Sequence, residues 1–348
     1  MRRPRIADVA AAAGVSKTAV SFAFNDPSRL SAATLKRILE AGKELGYSPD
    51  PVARSMSTGR TQTIGLLVPQ PLVEMTRNPF LAMLLEGIAE VAEAAALPIL
   101  LVSPIRGSME KAVTGAAVDG FLTLGLETFR PTMHMLERRG LPFVMIDCEP
   151  VEGVASVNID DEQGARIAMS HVLEQGHRRI GILGIRSPQR GQWSKYVGTL
   201  QRRMAGYAQA LSAVGLSLDD PGVRLTECSV SEAGGYQGFE RLWRRGPRPS
   251  ALVAMSDILA LGALEAALST GLSVPEDLSI VGFDDIPLAK LAQPALTTVR
   301  QPVIEKGRMA AQMLLDLLQS REEPRHVVLP TELIIRGSVA PAPGKGTR

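Results

Sequence analysis

Cysteine is nearly absent from this chain: Cys148 and Cys228 are the two in 348 residues. That argues against a disulfide-stapled secreted domain and for folding in a reducing cytoplasm. Long apolar runs are missing too. No stretch reaches about 18 uncharged apolar residues, so neither a signal peptide nor a membrane span is expected. The nearest candidate, Phe80 to Leu97, is interrupted by Glu86, Glu90 and Glu93. Histidine is scarce: His134, His171, His177 and His326 are all there are. His171 and His177 are six apart, so they share no helix face and do not fit a zinc pair. Asp160, Asp161 and Glu162 are acids where a helix N-terminus favours them. There is no Walker P-loop, no GxGxxG after a strand and no GxSxG elbow. Asp284-Asp285 alone is too little for acid–base catalysis. The expectation is a protein that is not an enzyme and carries neither metal nor cofactor.

What is present is unevenly distributed. Residues 1–60 hold ten Lys/Arg and five Asp/Glu, net +5, while residues 61–348 hold 28 and 31, net −3. A basic surplus at one end suits contact with phosphates. In that segment Ile6, Val9 and Ala10 fall at helical spacing, with Asp8 in the first turn. Gly14 can end the helix in the left-handed conformation, Val15 can plug the corner, and Ser16 is a good N-cap. The next helix, Lys17 to Phe24, places Val20 inward and Lys17, Thr18, Ser21 and Phe22 outward. Two short helices joined by Gly-Val-Ser make a helix-turn-helix. A third helix is capped by Ser31, carries Leu35, Ile38, Leu39 and Leu45, and stops at Gly46. Tyr47 to Met56 then reads as a short helix of roughly nine residues, marginal alone in water, that needs a surface to fold on.

After Ser57–Gln62 the pattern changes. Strands at Thr63–Pro69, Pro98–Ser103, Gly120–Leu124 and Pro142–Asp147 alternate with helical stretches, Phe80–Ala96 among them. A second series begins near Ser156, with strands at Arg179–Gly184, Ala251–Met255 and Leu278–Gly282. Its helices lie at Glu162–Gln175, Thr199–Val214, Glu232–Arg245 and Ile258–Thr270. Alternation of this kind indicates βαβ units and parallel sheets, and two such series suggest two lobes with a cleft between them. Ligands in such sheets bind beyond the carboxyl ends of strands, where Asp147 and Asp284 stand. A carboxylate there can accept two hydroxyls, which suits a sugar or polyol.

IADVAAAAGVSKTAVSFAFND followed by LGYSPDPVARSM resembles the head and hinge of the lactose/galactose repressor (LacI/GalR) family. VNIDDEQGARIAMSHVLEQGHRRIGIL, SDILALGALEAALSTGLSVPEDLSIVGFDD and PALTTVRQP extend the resemblance along nearly the whole body. It implies an all-α head at 1–48, a hinge helix and linker at 49–62, and a two-lobed periplasmic-binding-protein-like α/β domain at 63–340. Lobe 1 would span about 63–148 and 297–320, lobe 2 about 156–284 and 325–340, and 341–348 would be a flexible tail. The chain would cross between lobes near Asp147–Ser156, Asp284–Thr297 and Gln319–Pro324.

The resemblance also implies roles. Lys17, Thr18 and Phe22 would read bases; Ser16, Ser21, Asn25, Ser31 and Tyr47 would touch the DNA backbone; Ala53 and Met56 would enter the minor groove. Phe22 stands where many members carry Arg or another polar residue. It can pack on a thymine methyl; the alternative is that it packs inside the head. Met56 stands where the usual wedge is Leu. For the effector, Arg203 would be the cationic contact, unless it only pairs with a neighbouring acid, and Phe80 an apolar wall. Ser256 and Asp257 lie at another strand end, where Asp257 can instead cap its helix. Val230 stands about where sugar-binding members often carry an aromatic ring. Trp193 could compensate from the rim or be a surface residue. The implied partners are near-palindromic double-stranded operator DNA, a small-molecule effector and a second copy of the chain. The C-terminus lacks a leucine heptad, which favours a dimer over a tetramer. The implied location is the cytoplasm, on the nucleoid when bound to operator, with no membrane association.

Overall fold

The computed structural model describes residues 4–125, 130–187, 192–320 and 323–343. The chain divides into two units: residues 1–63 with 117–119, and the remainder.

The first unit begins with α1 (Ile6–Ala13), whose entry is fixed by the Asp8 carboxylate accepting from the Arg5 backbone N–H at 2.7 Å. Gly14 closes it at φ +60°, a conformation that costs glycine little. The backbone N–H of Val15 donates to Ala10, and Ser16 caps α2 (Lys17–Asn25) by accepting from Ala19 at 3.1 Å. The two helices meet at a bend of 104°. Ser31 caps α3 (Ala32–Leu45) through the Thr34 N–H. Val9, Ala10, Ala13, Val20, Ala23, Ile38 and Ala41 form the core of the three helices. The inward face of α3 is therefore Ile38, Ala41 and Gly42, while Leu39 and Leu45 are exposed. Phe24 closes the core edge to face with Tyr47, their centroids 5.5 Å apart. A short helix, α4, follows at Pro51–Thr58, with proline at the first helical position, where its missing N–H costs nothing. Beyond it, the Asp119 carboxylate accepts from Thr61 N, Thr61 Oγ1 and Gln62 N at 2.6–2.8 Å.

The second unit contains two six-stranded sheets. The first comprises β1 (Ile64–Leu67), β2 (Ile99–Val102), β3 (Gly120–Leu124), β4 (Phe143–Ile146), β5 (Ala155–Ile159) and β11 (His326–Leu329), in the order β11-β5-β4-β3-β1-β2. The second comprises β6 (Ile180–Ile185), β7 (Val223–Cys228), β8 (Ala251–Ala254), β9 (Ser279–Asp284), β10 (Thr297–Arg300) and β12 (Glu332–Ile334), in the order β12-β10-β9-β8-β6-β7. Among the described residues, these strands pair in parallel except β10 with β12. The helices between them are α5 (Leu72–Met75), α6 (Pro79–Ala94), α7 (Met109–Gly115), α8 (Arg130–Arg139), α9 (Asp161–Glu174), α10 (Gly198–Ser212), α11 (Glu232–Arg244), α12 (Asp257–Ser269), α13 (Pro287–Leu291) and α14 (Val303–Leu318). In lobe 1, α14 packs on α6 so closely that a Cβ on Gly87 would overlap the Ile304 carbonyl. In lobe 2, α9 packs on α10 and α11 on α12.

The observed lobes differ from the expected ones at every crossing. Residues 155–159 and 326–329 pair with each other in lobe 1, and residues 297–300 pair with β9 in lobe 2. The chain therefore crosses after Ile159, after Arg300 and after Leu329. Apolar runs mark the strands, but a run of four residues carries no record of its partner, which pairing alone decides. Strand β7 also escaped the sequence reading, because its middle is half-exposed and polar. The expected tail is shorter: Ala342 N–H donates to Gln175 O at 2.7 Å, and residues 344–348 lie outside the described residues.

Two buried histidines make lobe 2 pH-sensitive. His177 Nε2 lies 3.0 Å from the Ala340 carbonyl, which can only accept, so Nε2 carries the proton and Nδ1 faces the Ser250 hydroxyl at 2.9 Å. Burial lowers the pKa of His177 and of His171 below 6.5. A lowered folded pKa contributes stability above the unfolded value that is lost as pH falls towards the folded one. The contribution of His177 to denaturant resistance should shrink as pH falls below 6.5, and His177→Gln should remove that part of the pH dependence. The buried acids Asp257 and Asp284, raised by desolvation, act in the opposite sense and are common to both proteins. Equal slopes for the two proteins between pH 7.5 and 5.5, about one unit either side of the reference value, would refute the assignment.

Candidate functional site

The first unit presents a helix N-terminus and a short helix to solvent. Ser16, Lys17 and Thr18 are exposed at the start of α2. Ser21 is half-buried and accepts from Asn25 Nδ2 at 3.2 Å, so the two form one polar patch a turn apart. Phe22 is half-buried and lies outside the core; its ring is covered by the Arg29 guanidinium, 5.0 Å from its centroid. The aromatic in the core is Phe24 instead, for which position 24 on the same face as Val20 was the available signal. Ser31 is exposed, and Tyr47 is half-buried beside Ser21, Asn25, Ala53 and Arg54 in one groove. Ala53 is exposed, and Met56 is the most exposed large apolar side chain described, at 83%.

The second unit holds a cavity of about 540 Å³. Its walls come from the carboxyl ends of strands in both sheets: Gln70 after β1, Gly125 after β3, Asp147 after β4, Arg186 after β6, Ser256 after β8, Asp284 ending β9 and Gln301 after β10. Parallel sheets place their open ends on one side, and two lobes facing one another close a site there. Most of the lining is apolar: Met75, Phe80, Leu124, Val197, Leu200, Val230 and Met255 contribute to it.

The floor is polar and tightly paired. Arg203 is 5% exposed, with its Nε donating to Asp161 Oδ1 at 2.8 Å, an Nη donating to the Met255 carbonyl, and its guanidinium 3.7 Å from the Phe283 ring centroid. Burial opposes its charge; the carboxylates of Asp161 and Asp284 outweigh this and raise its pKa. Lys306 Nζ donates to both oxygens of Asp147 at 2.7 Å and to Gln301 Oε1 at 2.6 Å. Gln301 Nε2 in turn donates to Asp284 Oδ1 at 2.6 Å. Burial raises the pKa of Asp284, partly offset by Arg203 and Lys306. The Ser256 hydroxyl is buried and has no hydrogen-bond partner among the described residues. Asp147 at φ +54° and Asp284 at φ +122° are both strained for residues with a Cβ. Such conformations cost about 1–3 kcal/mol each and persist where the surroundings over-determine them.

The structure gathers Phe80, Asp147, Arg203, Val230, Ser256 and Asp284 at this cavity and excludes two expected members. Asp257 is fully buried away from it, accepting from the Thr298 hydroxyl at 2.5 Å and the Ile286 N–H at 2.9 Å. It neither caps α12 nor lines the cavity; it anchors the turn after β9 to β10. Trp193 is half-buried on the lobe 2 core and does not line the cavity. Gln301 and Lys306 went unnoticed because nothing in QPVIEKG signals a buried polar network.

The chain is similar to known proteins along nearly its whole length. Residues 5–50 match the model of bacterial regulatory proteins, lacI family, and residues 169–339 that of a periplasmic binding protein-like domain. The HTH-type transcriptional regulator CelR of Thermobifida fusca is 33% identical over 345 residues, covering 97% of this chain and 98% of CelR. The HTH-type transcriptional repressor CytR of Escherichia coli K12 is 35% identical over 350 residues, covering 97% and 96%. The structure of a CelR–cellobiose complex superposes with a TM-score of 0.71 at 32% identity, covering 97% of this chain and all of that one.

Proposed function

The chain belongs to the lacI family of bacterial regulatory proteins, and we propose that it is a repressor whose hold on a near-palindromic operator is set by a small polar metabolite bound in its cavity. It is a DNA-binding transcriptional regulator and not an enzyme. The observation that carries the proposed control is the cavity floor: strained Asp147 and Asp284, with an unpartnered Ser256 hydroxyl, at the open ends of two sheets. An unpaired buried hydroxyl costs free energy that a ligand would restore. Phe80, Arg203 and Val230 complete the assigned contacts. CytR is named a repressor, and the CelR structure holds cellobiose; both support a repressor answering to a sugar or related polar metabolite.

On DNA, Lys17, Thr18 and Phe22 read the major groove, Ser16, Ser21, Asn25, Ser31 and Tyr47 hold the backbone, and Ala53 and Met56 enter the minor groove. Domain limits of 1–48 for the head and 49–62 for hinge and linker follow from these roles. Two copies bind two half-sites, the symmetry of the site mirroring that of the dimer. The protein acts in the cytoplasm, where its operator is. Effector binding changes the angle between lobes, and operator affinity changes by the ligand's differential affinity for the two states.

The experiment is selection of the operator from random DNA, followed by titration of that operator with and without metabolites that raise the melting temperature. Operator affinity indifferent to every such metabolite would end the proposal. Hydrogen exchange across residues 50–58 should slow on operator and return with effector; equal protection throughout would refute the coupling through the hinge.

Phe22→Ala should change preference at one base position by about 1–3 kcal/mol, leaving head stability nearly unchanged. The ring is covered by Arg29 rather than by the core. A uniform loss over all selected sequences would show that Phe22 supports the fold of the head.

A further inference from the structure

The charged groups on the cavity floor are paired within the protein, Arg203 with Asp161 and Lys306 with Asp147, while burial favours the uncharged form of Asp284. Lys306 lies on the face of α14 that carries Val303, Gly307, Ala310 and Leu314, an apolar face by its spacing, and it is fully buried. An ammonium at such a position is tolerated only with a hydrogen-bonded counter-charge. Asp147 supplies it with both oxygens, at 2.7 Å each, and the Phe80 ring lies 5.1 Å above the nitrogen. The Asp147 side chain, 15% exposed, faces the cavity with its charge already matched. Arg203 and Asp161 are matched in the same way. Among the described residues, the groups that face a ligand without a net charge of their own to offer include Gln70, Ser256, Asp284 with its donor from Gln301, and the outer lone pairs of Asp147, while Arg203 meets it with its charge already matched by Asp161. Arg186, on the rim, is exposed and its charge is screened by solvent.

We propose that Lys306 sets the charge class of the effector: by neutralising Asp147 within the floor, it makes the cavity select an uncharged hydroxyl- or amide-bearing molecule over amines and carboxylates. This rests on the cavity being the effector site. Asp147 alone, without Lys306, would present a partly buried anion and attract amines. Lys306 alone would present a buried cation and attract acids. Removing both restores neutrality.

The test uses the full-length chain and three variants, Lys306→Met, Asp147→Asn and the double variant. Each is titrated calorimetrically with small metabolites sorted as neutral, amine-bearing or acid-bearing. The set includes cellobiose and ribose, and glucose, glucosamine and glucuronate as a matched series. The unaltered chain should bind neutral compounds. Lys306→Met should shift preference towards amines, and Asp147→Asn towards acids, by about tenfold or more, given an unmatched charge at hydrogen-bonding distance. The double variant should return to neutral compounds, which a merely structural role for the pair would not produce. If Lys306→Met fails to fold, Asp147→Asn and the double variant still decide. An amine or acid as the preferred ligand of the unaltered chain, or single variants that weaken binding without changing charge preference, would overturn the proposal. If no compound bound the unaltered chain, the effector reading itself would fall, and this assignment with it.

Discussion

Arg203→Met should destabilise the body by about 3 kcal/mol or more, the range for removing one partner of a buried ion pair, and should abolish the response to effector. The loss has three parts. Asp161, fully buried, keeps the longer contacts from Arg202 at 3.2 and 3.4 Å. The Met255 carbonyl loses its guanidinium donor. The Phe283 ring loses the cation stacked 3.7 Å from its centroid, worth about 2 kcal/mol when desolvated. Arg202 offsets part of the first, which places the expectation near the lower end of the range. Replacing both partners, Arg203→Met with Asp161→Asn, should recover much of the stability but not the effector response. Urea unfolding of the three proteins measures the first effect. A single-variant loss below about 1 kcal/mol, the scale of a surface pair, would mean that the pair is not buried in solution.

Met56→Ala should leave stability within about 0.5 kcal/mol, as for an exposed site, and yet weaken operator binding by one to two orders of magnitude. The side chain is 83% exposed on α4, so the fold gains almost nothing from it. An apolar wedge between base steps draws its value from unstacking and bending the duplex, at a cost of a few kcal/mol per step repaid by wider contact. Non-specific affinity, which comes from phosphate neutralisation, should not change. Met56→Leu should retain specific binding. Fluorescence anisotropy on selected and scrambled duplexes separates the outcomes. An equal loss on both, or no loss on either, would remove the wedge assignment.

How far the sequence spoke depends on the range of the interaction involved. Gly14, Ser16, Ser31 and Gly46 act within a turn of themselves, and each cap is found where local chemistry put it. Asp147 and Asp284 were legible because an acid directly after an apolar strand is a local pattern with a topological meaning. Asp257 shows the same pattern and has a different fate. Its partners, Thr298 and Ile286, are remote in sequence, so no window around residue 257 could separate an anchor from a contact. Trp193 is the converse case, a ring whose burial depended on whether the lobe 2 core offered it a surface.

The sequence by itself determined the division into a helical reader and a two-lobed α/β body, the family, and which strand ends carry acids. Those properties rest on caps, periodicity and motifs that lie close together in the chain. Tertiary structure alone decided that β5 and β11 share a sheet, that β10 joins β9, and that Lys306 and Gln301 tie Asp147 to Asp284. Strand pairing and buried charge balance depend on which distant residues meet. The lone apolar pattern of α14 predicts a core face there, and only the position of Asp147 explains why a lysine can occupy it.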